Sequence, residues 1–165
     1  MSETVFHDIL SVLKRGNVEF ILIGGLAGMA MGSARATVDV DVVYRRTEEN
    51  IQRLSDCLQP HEPYLRGAPA GLPFCFDAAT VSQGLNFTLT TSLGDVDLLG
   101  EVIGGGDYEQ LLEFTEPIQL FGIEMNCVTL EKLIQLKRAA GRPKDLEAIA
   151  ELELLLEERA NNDTR

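Results

Sequence analysis

Residues 21–44, I-L-I-G-G-L-A-G-M-A-M-G-S-A-R-A-T-V-D-V-D-V-V-Y, constrain the fold of this chain more than any other stretch. The segment ends in V-D-V-D-V. Along a strand successive side chains face opposite ways, so Val38, Val40 and Val42 share one face and Asp39 and Asp41 the other. The valine face needs a core. The aspartate face needs compensation, because neighbouring carboxylates repel unless a cation or a proton offsets them. Mg²⁺ (or Mn²⁺), a hard ion that takes oxygen ligands, suits such a pair. Upstream, an apolar run stops at Gly24 and Gly25, and the small residues of 26–31 read as a short helix. Glycines between a strand and a helix leave backbone N–H groups able to receive a phosphate. A phosphate cradle beside a metal-binding acidic pair implies phosphoryl or nucleotidyl chemistry.

The glycines alone carry little weight. The G-G-x-x-G-x-x-x-G spacing is not the Gly-x-Gly-x-x-Gly of a dinucleotide site, and V-D-V-D-V follows too soon to be its distant acidic residue. A later segment adds to them. Leu85, Phe87 and Leu89 alternate with Asn86, Thr88 and Thr90 as a half-buried strand, Ser92-Leu93-Gly94 turns the chain, and D-V-D-L-L returns as its hairpin partner. Asp97, between Val96 and Leu98, is the candidate third carboxylate, whereas Asp95 stands against the turn and is read as serving it.

The remaining pattern alternates helices and strands. A helix over 2–15 carries Val5, Phe6, Ile9, Leu10 and Leu13 on one stripe and stops at Gly16, and 18–23 is apolar enough for a central strand. Thr47 opens a helix with Glu48 and Glu49 in its first turn. Residues 59–73, with four prolines and two glycines, read as a long loop of the lid or binding kind, and Arg66, its one basic residue, as a candidate phosphate contact. Residues 74–76 read as a short strand, 104–106 as a flexible connection, and Asp107 as the cap of a short helix. Two strands flank Gly122. Thr129 then caps a helix whose apolar stripe includes Lys137, able to extend into an acidic, phosphate-binding pocket. Gly141 ends that helix and Pro143 opens the last one, with Asp145 in its first turn. Beyond Arg159 the polar tail, 160–165, is expected to be disordered.

Composition narrows the function classes. A chain of 165 residues with 45% hydrophobic and 24% charged side chains fits one globular domain, expected over 1–159. A formal net charge of -12 argues against an extended nucleic-acid surface, although it permits Mg²⁺-nucleotide binding in one pocket. Three scattered cysteines, Cys57, Cys75 and Cys127, suit reduced thiols, and no apolar run approaches the ~20 residues of a membrane span. A cytoplasmic protein is expected. The two histidines, His7 and His61, are ordinary polar residues rather than a zinc site or a dyad.

Taken in order, I-G-G at 23–25, D-V-D at 39–41 and V-D-L at 96–98 resemble the signature of the nucleotidyltransferase superfamily related to DNA polymerase beta. R-x-T-x-D-x-D from Arg35 to Asp41, and Lys137 followed by R-P-K-D from Arg142 to Asp145, resemble the bacterial abortive-infection and toxin-type members. The resemblance runs from Phe20 to about Leu155. It implies an α/β (α+β) fold, a mixed twisted sheet with helices packed against it and an open active-site face. It further implies that Asp39, Asp41 and Asp97 bind metal and act catalytically, Asp97 orienting or deprotonating the attacking hydroxyl. Gly24, Gly25, Arg35 and Lys137 would hold an NTP. The implied reaction moves a nucleoside monophosphate to a hydroxyl of a protein, an RNA end or a small molecule. A toxin paired with an antitoxin protein is the implied setting, and a non-catalytic nucleotide- or partner-binding module is the alternative.

Overall fold

The computed structural model describes residues 3–165. Its first helix, α1 (Glu3–Arg15), turns the stripe Phe6, Ile9, Leu10 and Leu13 inward until each is at most 3% exposed. Burying a side chain of that size contributes about 1.5–3 kcal/mol. The helix expected over 2–15 is present from Glu3 onward, and Ser2 lies outside the described residues.

The stripe lies on a seven-stranded mixed sheet. In chain order its strands are β1 (Phe20–Ile23), β2 (Asp39–Tyr44), β3 (Tyr64–Leu65), β4 (Asn86–Thr91) and β5 (Gly94–Leu99). A small hairpin, β6 (Glu101–Val102) and β7 (Gly106–Asp107), precedes β8 (Thr115–Leu120) and β9 (Ile123–Val128). The order across the sheet is β3-β4-β5-β2-β1-β9-β8. The continuously apolar β1 is buried at all four positions and sits between β2, antiparallel, and β9, parallel. Pro117 lies in β8, at the sheet edge, where a missing N–H is tolerated.

Helices cover both faces. α1 packs on β2, β5 and β9 and beside α3 (Glu48–Leu58), which Thr47 caps through the Asn50 N–H. Asn50 itself is fully buried. Its side chain accepts from Glu19 N and donates to the carbonyls of Glu19 and Arg45, so one amide joins the start of the helix to the chain flanking β1 and β2. On the other face α2 (Gly24–Ala30) packs against β1, β2 and α6 (Leu130–Ala140), and α6 against α7 (Pro143–Asp163). Asp107 and Thr129 cap α5 (Tyr108–Leu112) and α6 as their spacing predicts.

Four local expectations are corrected. Residues 59–73 are not structureless: a 3₁₀ turn at Gln59–His61 leads into β3, the sheet edge beyond β4. Residues 74–76 form no strand. Phe76 is instead buried edge-on against Phe87, and Asp77 immediately caps α4 (Ala78–Gln83), leaving no room for a ladder. The glycines at 104–106 close the tight β6–β7 hairpin rather than a flexible connection. α7 runs on to Asp163, past Arg159, so most of the expected disordered tail continues the helix with exposed side chains.

Candidate active site

Alternation along β2 buries Val40 and Val42 completely and leaves Asp39 and Asp41 half-buried on the α2 face. β5 repeats the pattern, with Val96 and Leu98 buried and Asp95 and Asp97 half-buried. The two strands are parallel neighbours in a register that sets Asp39 opposite Asp95 and Asp41 opposite Asp97. Four carboxylates thus form a two-by-two block. Asp95 is therefore a strand residue on the same face as Asp97, although outside the cavity, a correction to its reading as a turn residue.

Asp39, Asp41 and Asp97 each offer an oxygen within 4.8 Å of the other two. They line a cavity of about 420 Å³ together with Gly24, Gly25, Arg35, Lys137, Arg142, Lys144 and Asp145. The electrostatics follow from crowding. Burial, then the charges of Asp39 and Asp97 and a hydrogen bond with Asp97, push the Asp41 carboxyl up to about 8. Asp39 is also raised, by burial and by Asp97, with Arg66 pulling the other way. Three converging carboxylates, with Asp41 and Asp39 raised by burial and by their acidic neighbours, fit a divalent, oxygen-seeking ion.

Gly24 explains how the backbone approaches this cluster. Its φ is +72°, and a Cβ there would stand 2.8 Å from Asp41 Cγ, so only glycine fits on both counts. Gly25 is equally close to Thr37, whose Oγ1 a Cβ would meet at 2.8 Å. The pair forms the first turn of α2 itself rather than a link before it.

The basic wall comes from the end of α6 and the start of α7. Asp145, 2% exposed, accepts from Arg142 Nε at 2.7 Å and Nη2 at 3.2 Å, and Lys137 Nζ lies 3.9 Å away. Burial opposes ionisation of Asp145, but the hydrogen bond and charge of Arg142, then the charge of Lys137, hold the carboxyl below its usual range. Burial lowers the Lys137 ammonium, against the pull of Asp145. Asp145 is thus more than a helix-terminus residue: it aims two cations at the cavity. Arg35 reaches the same cavity and ion-pairs with Glu147 at 3.4 Å.

Arg66 departs most from expectation. Among the described residues it does not line the cavity. Its guanidinium instead lies 2.9 Å from Asp97, 3.3 Å from Asp95 and 3.5 Å from Asp39, so it pairs with carboxylates rather than standing free for a phosphate. Sequence reasoning could not have found this, because the contact depends on β3 reaching the sheet edge.

The cysteines are free, and burial pushes the Cys57 and Cys127 thiols up to about 12, which makes both inert at neutral pH. No described helix is long and apolar enough to cross a membrane.

No protein-family model matches the chain. No curated protein matches its sequence. Solved structures do match. A lincosamide antibiotic adenylyltransferase, LnuA, solved with lincomycin, superposes with a TM-score of 0.60 at 16% identity, covering 94% of this chain and 98% of that one. A candidate nucleotidyltransferase from Thermotoga maritima gives 0.57 at 16% identity over 89% of both chains. The antibiotic-resistance factor ANT(2'')-Ia gives 0.54 at 15% identity, over 98% of this chain and 93% of that one. The mixed sheet, the helices on its two faces and the glycine turn beside paired acidic strands are therefore the nucleotidyltransferase fold.

Proposed function

We propose that this protein transfers a nucleoside monophosphate from an NTP to an acceptor hydroxyl, releasing pyrophosphate. The observation that carries the reading is the convergence of Asp39, Asp41 and Asp97 in one cavity with Gly24, Gly25 and the cations Arg35, Lys137, Arg142 and Lys144. Asp39, Asp41 and Asp97 would hold Mg²⁺ or Mn²⁺. When bound, such ions neutralise charge on the transferring phosphoryl group and on the attacking and leaving oxygens. The backbone at Gly24 and Gly25 lets the triphosphate approach the carboxylates without a side chain between them. Lys137 and Arg142, aimed by Asp145, and Arg35 and Lys144 balance the phosphate charge. A carboxylate oxygen of Asp97 accepts the proton of the acceptor hydroxyl as its oxygen bonds to the α-phosphorus. The bond from that phosphorus to the bridging oxygen breaks, and pyrophosphate carries the electron pair away.

The acceptor we favour is a hydroxyl of a small molecule such as an antibiotic. Two structural neighbours are antibiotic-modifying or antibiotic-resistance proteins by name. The net charge of -12 disfavours an RNA end. A cytoplasmic toxin held by an antitoxin and modifying a protein or an RNA is the alternative setting. Incubation with each labelled NTP, Mg²⁺ or Mn²⁺, cell extract and a panel of hydroxylated antibiotics tests the reading. Label in a small molecule supports it, label in a protein or RNA band moves it to the toxin setting, and no transfer from any NTP overturns it. Asp41→Asn is the negative control.

A further inference from the structure

Arg66 is the one cation in direct contact with the carboxylate block among the described residues, and it comes from an unexpected direction. It follows β3, the edge strand, where its backbone N–H bonds to Thr88 O at 3.0 Å and its Nη2 to Leu89 O at 2.7 Å. From there the side chain crosses β4 and touches Asp39, Asp95 and Asp97. Asp39 and Asp97 line the cavity, and Asp95 does not.

The pairing is incomplete. Arg66 Nε and Asp97 Oδ1 are both shut off from solvent, and neither makes a hydrogen bond within the described residues, although Oδ1 lies 2.9 Å from Nη2. A buried ion pair gains most when every donor and acceptor is satisfied. This one balances charge without satisfying the groups, so a better cation can displace it. Asp95 supplies what displacement needs: a carboxylate next to Asp97 on β5, outside the cavity, able to keep the guanidinium when the other two let go.

We propose that Arg66 is a built-in counter-cation of the carboxylate block, which competes with divalent metal for Asp39 and Asp97 and withdraws to Asp95 when metal enters. The inference rests on the metal-binding reading above and adds a regulated step to it. The site is held closed to weakly bound cations, and loading becomes a switch of partners for Arg66.

The test is Mn²⁺ binding alone, without nucleotide, measured by calorimetry and by electron paramagnetic resonance. Arg66→Gln should bind Mn²⁺ about tenfold or more tightly than the parent, equivalent to ~1.4 kcal/mol. Lys144→Gln removes the same charge at a residue that acts on Asp39 only through its field, and should change affinity less than about threefold. Equal affinity in Arg66→Gln and parent, or an equal gain in both variants, overturns the proposal. A second measurement uses the unmodified chain and so survives a variant that fails to fold. The ¹⁵N-detected Arg66 Nε–H resonance, assigned from the Arg66 backbone by triple-resonance spectra of the same chain, should shift as Mg²⁺ saturates the site. A resonance unmoved at saturation also overturns the proposal. The two failures are separable. Mn²⁺ binding that Asp41→Asn abolishes, with Arg66→Gln unchanged, refutes the Arg66 step and leaves the metal site standing. No Mn²⁺ binding by parent and Arg66→Gln alike refutes both.

Discussion

Asp41→Asn should stabilise the metal-free protein, by an amount that depends on pH. Asp41 stands on β2 with Asp39 two residues away and Asp97 directly across on β5, and Arg66 pairs with those two but not with Asp41. Its carboxyl is consequently raised from 3.8 to about 8 by burial and by its acidic neighbours. The sign is that of a carboxyl raised on folding: the stability of the protonated form is fully present below 3.8 and is lost as pH rises through about 8. At pH 7 the unfolded chain has released this proton and the folded chain has kept it. Over the ~3 pH units between, at ~1.36 kcal/mol each, folding is penalised by at most ~4 kcal/mol. Asparagine keeps the shape without the charge, and a rearranged hydrogen bond to Asp97 gives back about 0.5–1.5 kcal/mol. The net gain should be on the order of 2–4 kcal/mol, or a Tm rise of roughly 4–16 °C at ~2–4 °C per kcal/mol. Thermal melts of parent and variant from pH 4 to 9, in EDTA, measure it. Near pH 4 the variant should melt slightly below the parent, by no more than that hydrogen bond, then overtake it as the pH rises toward 8 and stay a constant distance above it. Adding Mg²⁺ with an NTP should raise the Tm of the parent and leave the variant unmoved. A variant less stable than the parent at pH 8, or a difference independent of pH, would refute the account of the crowded carboxylates.

Other outcomes follow from the same geometry. Metal loading of the parent should release close to one proton near pH 7 and almost none at pH 9, read from calorimetry in buffers of different ionisation enthalpy. Asp145→Asn should destabilise the protein at pH 7, because it strands Arg142 and Lys137. As its carboxyl is held low, the difference should vanish as the pH falls and the parent's Asp145 takes up its proton. Lys137→Ala should weaken Mg²⁺-NTP binding more than Mg²⁺ binding, and equal losses in titrations of both would return the lysine to a structural role. Gly24→Ala should destabilise by more than ~1 kcal/mol and abolish the Tm shift by Mg²⁺-NTP, since both its φ and the Asp41 contact exclude a Cβ.

Much of this protein was legible in the sequence where the physics is local. V-D-V-D-V could place its aspartates on one face only by strand alternation, and both do face the cavity. Thr47, Asp107 and Thr129 cap helices because a side-chain oxygen a few residues from free N–H groups needs no tertiary partner. The stripe of α1 and the continuously apolar β1 announced a half-buried helix and a central strand. Residues 74–76 misled because apolar content signals burial, and Phe76 is buried as a core side chain without a ladder. Tertiary structure decided everything that depends on pairing between distant segments. The register of β2 against β5 brings Asp97 to Asp41 and turns Asp95 from a turn residue into the fourth carboxylate of the block, and a slip of one residue would point them to the other face. Packing of α7 against α6 sets Asp145 between Lys137 and Arg142, so that a residue with a local capping explanation also organises the basic wall. The edge position of β3 delivers Arg66 to three carboxylates 27 to 31 residues away in the chain, a contact for which no local pattern exists because it is made by sheet order alone.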